Sequence, residues 1–223
     1  MGYSAGGHLA LLYAYKSAAG HSVNGNPMHP ISLVISEAGP IQFASKTVYN
    51  ENEVEYGYVF ADDNVCAMAG ITMPNTTDLP EVYNEKLAIL ASVSPYCVAQ
   101  DIEDKSILPK TILVYGHGLT SDFNSYIDNY GDGTVPIQPA LDLYDLINNT
   151  SRSSSIEYGT SGCLCPSDNG NCVLYYFYKV HHNDFSLKNK VHPFTELENN
   201  ELKDAILDYY DKINEKLNPS ISN

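Results

Sequence analysis

Three short runs of this chain are apolar almost without a break: Ile31 to Ile35 (ISLVI), Thr111 to Tyr115 (TILVY) and Val173 to Val180 (VLYYFYKV). A strand with one wet face alternates apolar and polar residues, so runs like these require a sheet covered on both faces. Amphipathic segments lie between and after them. Gly6 to Ser17 places Leu9, Leu12 and Tyr13 at helical spacing, Gln138 to Asn148 does so with Leu141, Tyr144 and Leu146, and Glu198 to Leu217 with Leu202, Ala205, Ile206, Tyr209 and Ile213. The alternation predicts an α/β fold, a mostly parallel sheet flanked by helices.

The 223 residues suffice for one domain with a real core. Residues 41–108, rich in Tyr, Asn, Pro and acidic side chains, are far too long for a simple βα connection and read as an inserted cap. A helix is expected there over Leu79 to Ala91, after a turn at Pro74 to Thr77. Residues 150–172, rich in Ser, Gly and Cys, read as a second irregular loop.

Charge narrows the partners. Twelve Lys and Arg against 27 Asp and Glu give −15, which would repel nucleic acid and anionic membrane alike. No run approaches the roughly 18 apolar residues of a membrane-spanning helix, and no Lys or Arg precedes the Leu9 to Tyr15 run as a signal peptide would require. Of five cysteines, Cys163, Cys165 and Cys172 crowd one loop. Without a fourth nearby they do not suggest closed zinc coordination, and a local disulfide such as Cys165 to Cys172 is expected in an oxidising compartment. Asn75-Thr76-Thr77 and Asn149-Thr150-Ser151 match the glycosylation pattern, yet cytoplasmic and secreted locations both stay open.

The most specific chemical signal is Gly2-Tyr3-Ser4-Ala5-Gly6, a Gly-x-Ser-x-Gly followed at once by Gly7, His8 and a helix. A sharp strand-to-helix turn strains the serine backbone, and flanking glycines remove Cβ atoms that would collide. Ser4 is thereby presented at a helix N-terminus, with the Ala5 N–H as expected oxyanion donor. The bland alternative is a glycine-rich helix start.

A serine nucleophile needs a base, and a carboxylate to orient that base. After the strand ending at Tyr115 comes Gly131-Asp132-Gly133-Thr134-Val135-Pro136, which would put Asp132 at the ligand-binding edge of the sheet. Asp132 also reads as an ordinary turn aspartate, and Asp122 and Asp128 rival it as the acid. Beyond the last strand stands Val180-His181-His182-Asn183-Asp184. His182 is preferred over His181 as base because it is the first histidine freed from the pleat. A pair of surface histidines, or a metal site of His181, His182, Asp184 and His192, are the competing readings.

Taken together, GYSAGGHLA, ASVSPYCV ahead of TILVYGHG, DGTVPIQPALDLYDLI, and a last strand with HHNDF resemble the α/β-hydrolase superfamily. The resemblance is to its esterase and lipase branch, similar to hormone-sensitive-lipase-like, bacterial carboxylesterase and feruloyl-esterase-like proteins. It implies Ser4 as nucleophile, Asp132 as acid and His182 as base, with no cofactor or metal. Such proteins carry several strands and a His-Gly-Gly-Gly-type loop before the elbow. Here Met1 directly precedes it, so the chain reads as the C-terminal part of a hydrolase lacking the strand that feeds Ser4. Ser4 is then expected to be loosely placed, and the sheet to expose an edge that makes the chain aggregation-prone.

The implied reaction is hydrolysis of a small carboxylic ester through an acyl-enzyme. A peptidase of the same superfamily and a non-catalytic, hydrolase-derived fragment or binding protein are the alternatives. The tyrosines of the 41–108 segment, Tyr49, Tyr56, Tyr58 and Tyr83, read either as a platform for an aromatic or sugar-linked acyl group or as cap core.

Overall fold

The computed structural model describes residues 1–50, 53–118, 134–151, 161–166, 170–178 and 182. All lie in one compact unit, Met1–Phe185. The closing helix expected over Glu198 to Leu217 falls outside the described residues.

The chain opens with β1 (Gly2–Tyr3) and α1 (Ala5–Ala18), then a small hairpin of β2 (Ser22–Val23) and β3 (Asn26–Pro27), and β4 (Leu33–Glu37). A longer hairpin, β5 (Ala44–Asn50) and β6 (Glu53–Tyr58), leads to α2 (Asp63–Met68), α3 (Pro80–Ser92) and α4 (Pro95–Asp101). A 3-10 turn (Lys105–Ile107) precedes β7 (Lys110–His117), followed by α5 (Gln138–Asn148), β8 (Gly162–Leu164) and β9 (Cys172–Tyr178).

Five strands form the central sheet in the order β1-β4-β7-β9-β8. Its first three pairings are parallel, and β8 closes the far edge antiparallel to β9. The three expected strands are its centre, β4 and β9 shifted by a residue or two. The strand expected to be missing ahead of Ser4 is present in brief: Gly2 and Tyr3 pair in parallel with Ser36 and Glu37, so β4 has a neighbour on that side.

The middle of the sheet is buried on both faces, as the lack of alternation in its strands requires. Thr111, Leu113 and Tyr115 of β7 and Cys172 and Leu174 of β9 point to the face holding α1, α4 and α5, where Tyr15 and Thr111 share a 3.0 Å hydrogen bond. Ile35, Ile112, Val114 and Val173, of opposite parity, are buried as well. Leu11, Ala14 and Tyr15 of α1 and Ala140, Leu141, Leu143, Tyr144 and Ile147 of α5 complete this core. Leu9 and Tyr13, expected on the buried stripe of α1, are instead exposed.

The 41–108 segment builds a second, smaller core from Phe43, Ala44, Cys66, Leu87, Leu90, Ala91 and Cys97. Its helix α3 starts on Pro80, whose missing N–H costs nothing in a first turn. The sequence did not announce the hairpin β5–β6, because most of its side chains are exposed or half-exposed and follow no strict period.

The disulfide expectation is corrected. Cys163 bonds Cys165, while Cys172 is a buried free thiol at the start of β9. Cys172 faces the core and cannot also turn outward to the loop. Cys163 and Cys165, two apart on an extended segment, project to the same side.

Candidate functional site

The site begins with the backbone of Ser4, which links β1 to α1 at φ 52° and ψ −124°. A non-glycine residue there carries strain of roughly 1–3 kcal/mol that its surroundings must offset. The Ser4 N–H donates to the Glu37 carbonyl at 2.8 Å, and its own carbonyl accepts from the His8 N–H at 3.0 Å. Ser4 is therefore pinned from both sides, contrary to the expectation of a loose placement.

Close approach, rather than flexibility, explains the glycines. A Cβ on Gly2 would lie 2.1 Å from the Gly6 carbonyl oxygen, and one on Gly7 2.7 Å from Ser36 Oγ and 2.9 Å from the Gly2 carbonyl oxygen. Gly39 is equally tight, 2.6 Å from the His8 nitrogen. Gly6, which the motif reading also treated as a steric necessity, has open space where its Cβ would be. The second position that requires glycine is Gly7.

Gly7, Ser36 and Gly39 let α1 press its first turn against the sheet. Ser36 Oγ is fully buried there without a hydrogen-bond partner among the described residues. The first N–H groups of a helix have no intrahelical acceptor, and Ala5 and Gly6 are exposed, so this positive end faces outward beside Ser4.

His182 comes from the other end of the chain. Its Nε2 lies 2.9 Å from Ser4 Oγ, and its side chain is buried. With Nδ1 protonated, Nε2 accepts from the serine hydroxyl, the orientation general-base action requires. Tyr3 reaches the same histidine twice: its hydroxyl donates to the His182 carbonyl at 2.8 Å, and the two rings lie 5.2 Å apart, tilted by 37°. Asp132, its rivals Asp122 and Asp128, and His181, Asp184 and His192 lie outside the described residues. Among the described residues no cluster of three metal-ligating side chains occurs, and no helix is long and apolar enough to cross a membrane.

Two ionisable groups beside the elbow escaped the sequence reading. His8 is buried, donates from Nδ1 to the Pro40 carbonyl at 3.0 Å and packs on Phe43; burial holds its pKa below the ordinary value. Glu37 ends β4 in register with Tyr3, and burial pushes its carboxyl up to about 7, opposed in part by the Met1 amino group. A carboxylate at the carboxyl end of an apolar strand was the available signal, since ligands gather at that edge.

Glu37 gives a signed expectation for stability. Its folded pKa lies above the ordinary 4.5, so the folded state holds the proton more tightly. Its contribution is complete below about pH 4.5 and is lost as pH rises through about 7. His8 acts in the opposite sense, its contribution complete above pH 6.5 and falling below it. Comparing urea midpoints of wild type and Glu37→Gln isolates the carboxyl: the variant should gain on wild type between pH 5 and 8. Parallel profiles would show that Glu37 ionises freely.

No family model matches the chain, and no curated protein matches it. Among solved structures, it is similar to a bifunctional GH43-CE protein of Bacteroides eggerthii, with 16% identity and a TM-score of 0.44. That match covers 95% of this chain and 23% of the other, so the chain spans under a quarter of that protein's length.

Proposed function

We propose that the protein is a serine hydrolase of carboxylic esters that works through an acyl-enzyme. The observation that carries this reading is the 2.9 Å approach of His182 Nε2 to Ser4 Oγ, with Ser4 strained at a strand-to-helix elbow. A structural serine has no need of a positive φ, a facing imidazole and a helix N-terminus together.

In the proposed reaction His182 Nε2 takes the hydroxyl proton as Ser4 Oγ bonds to the ester carbonyl carbon. The carbonyl oxygen becomes an oxyanion held by the Ala5 N–H. The C–O bond to the alcohol breaks, and His182 returns its proton to the departing alkoxide. Water, deprotonated by His182, then releases the acid and regenerates Ser4. Asp132 is proposed as the carboxylate that holds the Nδ1–H tautomer. Residues 41–108 are proposed as the cap over the pocket; Phe43 to Cys97 contribute the small second core, while Val98, Ala99, Ile102 and Leu108 join the main one.

Active-site labelling tests the nucleophile. A fluorophosphonate probe incubated with the folded chain should modify Ser4 alone, read by peptide mass spectrometry, and Ser4→Ala should abolish the adduct. Labelling of a different serine, or none on folded protein, overturns the reading.

A further inference from the structure

We infer that Tyr3 is a positioning residue for His182, holding the base over Ser4 through the histidine's own backbone and ring. The inference rests on the reading of Ser4 and His182 as nucleophile and base, and it adds a residue that this reading does not use.

A general base must be fixed in two respects: where its Cα sits and how its imidazole is tilted. Tyr3 addresses both. Its phenol donates to the His182 carbonyl at 2.8 Å, which fixes the backbone, and its ring lies 5.2 Å from the imidazole at 37°, which limits the tilt. The two residues stand 179 positions apart, so local chain geometry does not bring them together.

Tyr3 is itself well anchored. It occupies the last position of β1, paired with Glu37, and its neighbour Ser4 is tied to the Glu37 carbonyl. The same two-residue strand therefore sets both the nucleophile and the clamp on the base. Any shift of β1 moves the two together, so the distance from Oγ to Nε2 is preserved.

Two variants separate the functions. Tyr3→Phe keeps the ring and removes the hydrogen bond; kcat on a chromogenic acetate ester should fall about two- to tenfold with KM unchanged. Tyr3→Leu removes both contacts, and kcat should fall about a hundredfold, the usual consequence of a reacting group displaced by about 1 Å. A readout independent of turnover is the His182 imidazole resonance in histidine-labelled protein. Tyr3→Leu should move it by loss of the aromatic ring current, and Tyr3→Phe should leave it nearly in place.

The proposal is overturned if both folded variants keep kcat within about twofold of wild type, if the loss lies wholly in KM, or if the resonance does not move in Tyr3→Leu. Should Tyr3→Leu fail to fold, the kcat of Tyr3→Phe decides. Should wild type neither turn over nor label at Ser4, the hydrolase reading has failed, and the resonance alone decides whether Tyr3 holds His182.

Discussion

Replacing His182 by alanine should lower kcat for ester hydrolysis by on the order of 10⁴- to 10⁶-fold while leaving the chain folded, since members of a nucleophile–base unit fail together when either is removed. In the proposed reaction this imidazole, 2.9 Å from Ser4 Oγ, takes the serine proton. His181→Ala should retain most of the activity, because only one imidazole can stand at that position. Single-turnover rates with a chromogenic ester, alongside circular dichroism of each variant, check both arms. If His181→Ala loses the activity and His182→Ala keeps it, the base is His181.

The second large effect is steric. In Gly2→Ala the new methyl would meet the Gly6 carbonyl oxygen at 2.1 Å, the Gly6 carbonyl carbon at 2.2 Å and the Gly7 nitrogen at 2.6 Å. All three are backbone atoms, so no side-chain rotation relieves the clash, and β1 and α1 must separate. Overpacking of this kind costs about 3 kcal/mol or more, and the displaced serine should lose most of its reactivity toward a fluorophosphonate. Gly6→Ala is the control: its methyl meets open space, and alanine is favoured over glycine in a helix by about 0.5–1 kcal/mol. Thermal midpoints should therefore fall sharply for Gly2→Ala and hold or rise for Gly6→Ala. Equal losses would mean that the elbow does not depend on close approach.

The centre of the sheet was legible in the sequence because β4, β7 and β9 are buried on both faces, and such strands cannot hide their composition. Helix α5 was legible for a similar reason: Leu141 and Tyr144 of the expected stripe are buried, while Leu146 is only partly so and Ile147 takes its place. Strand β1 was not, since two residues have no period and become a strand only through pairing with Ser36 and Glu37. The β5–β6 hairpin, mostly exposed, carried no pattern that burial would have enforced. At the site, Ser4 was singled out by its motif and His182 was preferred to His181 by its place after the strand; the 2.9 Å contact between the two is a tertiary fact that no local pattern encodes. Glu37 shows the limit most clearly: its altered proton affinity comes from packing around it, which a list of residues does not contain.

The contact between Ser4 and His182 spans 178 of the 223 positions. Closing so large a ring before any reward is collected slows folding more than it weakens the folded state. In the folded chain Gly2 and Tyr3 pair with β4, and the Ser4 hydroxyl meets His182, so both contacts of the elbow come from later in the sequence. In the proposed reaction, Ser4 reactivity would therefore report completion: a chain cut short of His182, however much of its sheet has formed, keeps the elbow and lacks the imidazole that faces it.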